Sequence, residues 1–300
     1  MKNDMKIVYV ILHYKTYEMT YKCIESILAT NDMIDFHIVV VDNGSCNGTG
    51  EQLKDNFNNF NNITVLVNKE NLGFANGNNL GYKFARDTYS PDAIVVMNND
   101  IIIEQKDFGL ILCNEIVKNR DIHVLAPDVI NKMGKHQNPV ANSSISQKKI
   151  LYVLLYNIFL QIIMRVPFFN KLFLKYLKKR HEKKKNKNNI QLNKYDIVPH
   201  GAMIIYNKVF VEKEHLAFNP FTFLYCEEDL LYDFLKMKNY HTLYIDSLKV
   251  KHLEDVSTNF HTKTEIKKKL FMSKHKIKSC VILIKTRKKI KKMRRKNYNE

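Results

Sequence analysis

Four apolar runs, each leading into a segment of helical character, constrain this chain more than any other feature. They are KIVYVIL (6–12), FHIVVVDNGS (36–45), ITVLVN (63–68) and DAIVVMNND (92–100). A strand with one wet face alternates apolar and polar residues, whereas a run that is apolar throughout is covered on both faces. The segment 16–30 carries apolar residues at helical spacing, 48–57 reads as a helix, and the Gly/Asn-rich stretch 68–81 opens a third helix running through 87. Consecutive βα units predict an α/β fold, with a mostly parallel central sheet and helices on both faces. Ligands of such sheets bind beyond the carboxyl ends of the strands. Two of those ends carry an acid, Asp42 and Asp100.

After Asp100 the pattern loosens. Residues 105–119 read as a helix and 122–131 as a strand, and 143–194 read as an insertion. Within it, ILYVLLYNIFLQIIM (150–164) is almost wholly apolar. Fifteen helical residues span about 22 Å at about 1.5 Å each, short of the roughly 30 Å hydrocarbon core of a bilayer. This helix is expected to lie in or on a membrane interface with its basic flank at the headgroups; a buried core helix is the other reading. Sheet structure resumes over 196–210, a loop leads into a helix over 219–240, and a strand follows over 241–253. From 263 the chain reads as a basic helix whose apolar face is Ile266, Leu270, Phe271, Ile277, Val281, Ile282, Ile284 and Ile290. The expected organisation is a domain over 1–262 that carries the 143–194 insertion, followed by a basic amphipathic helix over 263–300.

The distribution of charge narrows the partners. The net charge is +18, but nine Lys/Arg against one acid lie in 171–187 and sixteen against one acid in 263–296. The rest of the chain is mildly acidic. A nucleic-acid-binding body would spread its basic residues over a face or groove, so no nucleic acid is expected. Two attached basic elements suit an anionic membrane surface. The five cysteines form no CxxC pair, which argues against a zinc site or a disulfide framework. No secretory signal pattern opens the chain, so the expected location is cytoplasmic, peripheral at the inner face of the cell membrane.

Several short motifs could carry chemistry, and each alone has a plainer reading. VMNND (96–100) ends a strand with Asn98, Asn99 and Asp100, and hard divalent cations want such oxygen ligands; an Asp after a strand is also an ordinary turn residue. Glu227 and Glu228 precede a helical pattern, where acids complement the helix dipole. His252 follows a strand. The stretch NKENLGFANGNNLG (68–81) lacks the GK[ST] ending of a P-loop and the G-x-G-x-x-G spacing. Its Gly77 and Gly81 fall one helical turn apart, which predicts a close helix–sheet approach, while Gly73 stands at the turn from strand to helix.

Their order says more than any one of them. VVVDNGSCNGT (39–49), NKENLGFANGNNLG, VMNND, HGAMIIYNKVF (200–210), FLYCEEDLLYDFLKMKNY (223–240) and KVKHLEDVST (249–258), in this sequence, resemble the family 2 glycosyltransferases of GT-A fold, and in particular bacterial rhamnosyltransferase-like members. The resemblance covers about residues 5–258 apart from the insertion. It implies a Rossmann-like GT-A domain with the basic, apolar helical insertion and the basic C-terminal helix attached. It implies that Asp42 contacts the nucleobase of a nucleotide-sugar donor (dTDP- or UDP-linked), and that Asn98-Asn99-Asp100 stands where the family has a DxD-type motif. Asp100 is then the ligand of Mg²⁺ or Mn²⁺ and Asn98 a ribose or base contact, with Asn99 between them on the donor side. His252 would complete the metal shell. His200 and Gly201 would line the pocket of the donor sugar and acceptor, and Asn71, Gly73, Asn76 and Asn78 would face the donor. Glu228 is the implied catalytic base, with Glu227 in reserve; a carboxylic acid with a reference pKa of about 4.3 is ionised at neutral pH without tuning. The implied activity is inverting, metal-dependent transfer of rhamnose or another hexose to a lipid-linked or glycan acceptor, as in capsule or exopolysaccharide synthesis. A catalytically silent nucleotide-sugar-binding subunit that anchors a partner enzyme is the alternative, since NND keeps only one acid.

Overall fold

The computed structural model describes residues 3–31, 33–166, 193–254 and 264–299; the basic run 171–187 lies outside them. The chain divides into two compact units, Met1–Ser144 with Asn193–Thr258, and Ile145–Leu192 with Asn259–Glu300.

The first unit is built on one sheet. β1 (Asn3–His13) lies parallel between β2 (Ile34–Asp42) and β4 (Ala93–Asn98), and β3 (Ile63–Val67) lies parallel outside β2. The helices between them are α1 (Tyr17–Leu28), α2 (Thr49–Asn56) and α3 (Gly73–Tyr89). This is the parallel half that the four apolar runs predict. The other half is mixed. β7 (Met203–Asn207) runs antiparallel to both β4 and β6 (Val124–Asn131), and β8 (Thr242–His252) runs parallel to β6. β5 (Ile101–Ile102) closes the order β3-β2-β1-β4-β7-β6-β8-β5 by pairing antiparallel with β8. The helices of this half are α4 (Phe108–Lys118), the short α6 (Lys208–Val211) and α7 (Glu227–Lys238); α5 belongs to the second unit.

β5 is too short to be read from sequence, yet it sets the shape of the sheet. Four strand spacings separate β4 from β5 in the sheet order, about 19 Å if the sheet were flat. The chain from Asn98 to Ile101 spans at most about 11 Å. The sheet must therefore curl, and the turn at Asn99 and Asp100 sits where it comes round.

Period-2 alternation along the strands sorts their side chains into two cores. Ile7, Tyr9, Ile11, Ile38 and Val40 face one way, against Cys23, Ile24 and Ile27 of α1 and Phe108, Leu112 and Ile116 of α4. Val8, Val10, Val39 and Val41 face the other way, against Ala75, Tyr82 and Ala85 of α3 and Leu231 and Leu235 of α7. Both faces are covered, as continuous apolar strands require.

α3 lies against the sheet where its glycines recur. A Cβ on Gly81 would stand 2.5 Å from Val10 Cγ1 and 2.8 Å from Val41 Cγ2, and one on Gly77 would stand 2.6 Å from Leu12 Cδ1. The neighbours are branched side chains inside a packed core and have little room to yield.

The second unit pairs α5 (Gln147–Ile163) with the long α8 (Glu265–Asn299). Ser146 caps α5 by accepting from Lys149 N. Gln161 Nε2 donates to Leu270 O (2.6 Å) and Ser273 Oγ (2.7 Å), and Arg287 donates to Ile145 O (2.6 Å). The apolar insertion and the basic tail are thus two parts of one helical unit. Among the described residues no helix is long and apolar enough to cross a membrane.

Overpacking of a filled core costs about 1–3 kcal/mol. Gly81→Val is expected to lower the free energy of unfolding by about 2 kcal/mol or more, read from the midpoint of urea unfolding. An unchanged midpoint would show that α3 can lift off the sheet.

Candidate active site

Three groups of polar side chains gather at the carboxyl ends of the strands. The first surrounds Asp42, the last residue of β2. Its Oδ1 accepts from Ser45 N (3.2 Å) and from the Ser45 hydroxyl. Burial nevertheless pushes its carboxyl above the ordinary value, against the pull of those hydrogen bonds. Beside it lies His13, fully buried at the end of β1, with Nδ1 2.7 Å from Thr20 Oγ1 and Nε2 2.9 Å from Thr49 Oγ1. Burial pushes this imidazole down to about 4, so it is neutral and acts through hydrogen bonds alone. The same Thr20, with Thr16, accepts from Asn99 Nδ2 at 2.8 and 2.7 Å. α1 thereby ties the turn after β4 to the end of β1. Asn98 is half-buried, and its backbone N–H donates to Ala202 O at 2.9 Å.

The second group joins Asp100, His252 and His200. Asp100 is 6% exposed, and its Oδ1 has no hydrogen-bond partner. His252 Nε2 lies 3.3 Å from that oxygen. Backbone pairing makes this meeting obligatory: Ile101 pairs with His252 across β5 and β8, and Leu253 N donates to Asp100 O at 2.9 Å. His252 Nδ1 is 2.8 Å from Gln137 Oε1, an acceptor, so the proton sits on Nδ1 and the Nε2 lone pair is left for the site. Gln137 in turn donates to Glu254 Oε1. The His200 ring stands edge-on to His252 with centroids 5.6 Å apart. Burial, reinforced by His252, pushes His200 down to about 4. Its Nδ1 accepts from Ala202 N (3.2 Å), so its proton is on Nε2.

A buried, unpartnered carboxylate oxygen facing an imidazole lone pair is a donor set that suits Mg²⁺ or Mn²⁺. Among the described residues no group of three or more His, Cys, Asp or Glu could hold a metal by itself. The pair therefore fits a cation that takes its remaining ligands from bound phosphate oxygens and water, as Mg²⁺ sites commonly do.

The third group is the acidic pair at the start of α7. Tyr225 (φ 74°) and Cys226 (φ 67°) precede it in the left-handed region, a conformation that costs a non-glycine residue about 1–3 kcal/mol and persists only where the surroundings impose it. Glu227 is 4% exposed, and its Oε1 has no partner. Burial, with the neighbouring Glu228 charge adding to it, raises its pKa to about 8. Glu228 is half-buried and faces Gly201: a Cβ there would lie 2.8 Å from Glu228 Oε1. Burial raises Glu228 too, offset in part by the Gly201 backbone N–H. The expectation of an untuned carboxylate is thus corrected. Both acids are desolvated, which sequence does not display, and Glu227 is protonated at neutral pH.

The Gly/Asn stretch links the first and third groups. Asn71 Oδ1 accepts from Gly73 N (2.8 Å), and Asn43 donates to Asn71 Oδ1 (3.2 Å) and Gly73 O (3.0 Å). Gly73 has φ 80°, and a Cβ on it would meet Phe223 O at 2.5 Å; Phe74 N donates to that same oxygen at 2.7 Å. Asn76 donates to Pro220 O, and Asn79 both donates to Phe218 O and accepts from Phe218 N, all at 2.9 Å. Asn78 donates back to Phe74 O at 2.9 Å, leaving a buried Oδ1 without a partner. Asn76 and Asn79 thus hold the loop that leads to Glu227 and Glu228, a duty their sequence position does not reveal, while Asn71 and Asn78 bond within the first group and their own helix. His13, Thr20, Gln137 and Glu254 join the site without being candidates from sequence. Glu254 lies inside KVKHLEDVST (249–258), but nothing local points to Gln137.

Comparison with known proteins identifies the family and a shared fold. The family model described as glycosyl transferase family 2 matches residues 9–209. Solved structures with a similar fold include S. aureus TarS 1-349, at 16% identity and TM-score 0.51, covering 83% of this chain and 60% of that one. S. aureus TarS 1-349 in complex with UDP is similar at 14% identity and TM-score 0.51, covering 90% of this chain and 65% of that one. The chain thus spans less than two thirds of the length of these structures. Comparison with curated proteins returns no match.

The Glu227 carboxyl holds its proton in the fold up to about 8, against an ordinary value of 4.5. Between those values the folded chain binds more protons than the unfolded one, so stability falls as pH rises through that window. Glu227→Gln keeps the neutral shape and removes the titration. Its stability relative to wild type, measured by urea unfolding, is expected to grow from about pH 5 to about pH 9; a constant difference would show that Glu227 is ionised throughout.

Proposed function

Since the chain belongs to glycosyl transferase family 2, we propose that it is an inverting glycosyltransferase that moves a hexose from a nucleotide-sugar donor to a hydroxyl of a lipid-linked or glycan acceptor. The observation that carries this reading is the meeting of Asp100, His252, His200 and Gly201-bound Glu228 at the carboxyl ends of the strands. Asp42, with its desolvated carboxyl, takes the nucleobase end of the donor, and Asn98 the ribose. The UDP in the TarS structure supports a UDP-sugar as the first donor to test; a dTDP-sugar is the next. Rhamnose or another hexose, and a capsule, exopolysaccharide or other cell-surface product, are the finer parts of the same proposal.

The chain's own groups divide the work. Glu228 accepts the proton of the acceptor hydroxyl as its oxygen attacks the anomeric carbon. The new C–O bond forms on the face opposite the breaking bond to the diphosphate, which leaves with the bonding pair and inverts the anomeric centre. His200 offers an Nε2–H, and its neutral state keeps a second positive charge away from the cation site. Glu227, protonated, donates rather than accepts. A divalent cation held by Asp100 Oδ1 and His252 Nε2 would supply charge stabilisation for the departing diphosphate. Gln137 and Glu254 keep the His252 lone pair turned towards it. Work at the inner face of a membrane completes the proposal, supported by the basic α8 and the apolar α5.

Two measurements test the site. Glu228→Gln and Asp100→Ala should each lower kcat of sugar transfer or donor hydrolysis about 100-fold or more, with Mn²⁺ or Mg²⁺ present; full activity in both would overturn the assignment. Nucleotide binding without turnover against a donor panel would favour a silent binding subunit instead. Gln137→Leu should weaken Mn²⁺ binding in the presence of UDP about 10- to 100-fold, read by calorimetry. Unchanged affinity would remove His252 from the metal shell.

A further inference from the structure

α5 is apolar on two opposite sides, and one of them is open. Ile150, Asn157 and Leu160 are buried along one side. Leu151, Tyr152, Leu155, Ile158 and Ile162 lie on the other, each between 40 and 63% exposed. At 3.6 residues per turn these five fall within an arc of roughly 120°, a continuous stripe rather than scattered surface residues. Stripes of this size on a soluble protein mark an interaction surface.

We propose that this stripe is a docking surface for an anionic lipid bilayer, with the α5 side chains seated at the boundary of headgroups and acyl chains and α8 supplying the attraction. The inference rests on the reading that the acceptor is carried by a membrane, and deepens it by naming the side chains that enter the lipid. Three observations support it. The seventeen residues of α5 make a helix of about 26 Å at 1.5 Å each, with one side held within its own unit; such a helix lies in the interface plane instead of crossing it. α8, its partner in the unit, carries fifteen Lys/Arg against the single acid Glu265. A second copy of the chain on the stripe would bring two such helices together, and like charges oppose that; an anionic bilayer offers negative charge outside and apolar depth within.

The structure also reassigns the roles of the two elements. From sequence, both the 150–164 helix and the basic tail are expected at the membrane, the tail with an apolar face of its own. In the fold Cys280 and Leu283 of α8 are buried and Ile277, Val281 and Ile284 are half-buried. The tail's apolar residues pack within the unit, and α5 presents the exposed stripe. α8 acts through charge.

The test uses the full chain and vesicles of phosphatidylcholine with phosphatidylglycerol, or of phosphatidylcholine alone, read by co-sedimentation. Wild type should bind the anionic vesicles well above the neutral ones. Leu155→Lys with Ile162→Lys adds positive charge yet should weaken binding to anionic vesicles about tenfold or more, because two apolar anchors are lost. Lys288→Glu with Lys292→Glu should weaken it as well and make it less salt-sensitive. Both positions of the first variant are exposed, so the fold, checked by circular dichroism, should persist. Unchanged or tighter vesicle binding by Leu155→Lys/Ile162→Lys would overturn the proposal. So would a stable dimer in wild type that this variant makes monomeric. Donor hydrolysis in free solution is measured alongside. Its absence in wild type would count against the glycosyltransferase reading without touching the vesicle result, and its persistence in the variant would confine the defect to docking.

Discussion

The reach of a three-residue step governs this molecule. Between Asn98 at the end of β4 and Ile101 at the start of β5 the chain can cover only about 11 Å, while four strands intervene in the order of the sheet counting β5 itself. The sheet has to curl to satisfy both. The curl carries β8 round to β5, and the pairing of Ile101 with His252 sets the His252 imidazole beside the Asp100 carboxylate. Two residues 152 positions apart become neighbours through backbone hydrogen bonding, before any side chain chooses a partner.

The opposite side of the site depends on a different contact. Gly77 and Gly81 let α3 settle onto Leu12, Val10 and Val41, and α3 then acts as a clamp. Asn79 and Asn76 hold Phe218 and Pro220, Tyr82 donates to Glu214 O, and Arg86 donates to Val211 O. The loop so fixed enters α7 through two left-handed residues, Tyr225 and Cys226. That entry places Glu227 out of water and Glu228 against Gly201. Packing on one face of the sheet thus governs the environment of both acids at the end of its strands. Burial raises both carboxyls above their ordinary value, Glu227 to about 8.

The second unit obeys a simpler rule. A helix as apolar as α5 needs cover on every side, and α8 provides it on one side only. Charge on α8 and apolar area on α5 belong to one unit, although residues 193–258 of the first unit separate them in sequence.

Much of this was legible in the sequence. The apolar runs 6–12, 36–45, 63–68 and 92–100 announced buried parallel strands, because strands covered on both faces cannot afford polar alternation. The spacing of Gly77 and Gly81 announced a close helix–sheet approach, since helical periodicity alone puts both on one face. The order of the motifs pointed to the family. Other features belong to the tertiary structure. β5 is two residues long and has no local signature. Gln137, Asn79 and His13 matter through partners far away in the chain. The shifts at Glu227, His200 and His13 arise from desolvation, which depends on what surrounds a group and not on its neighbours in sequence. Local pattern determined which residues are strands, helices and candidate ligands; only the fold, by bringing distant segments together and excluding water from them, decided which of those residues meet and in what protonation state.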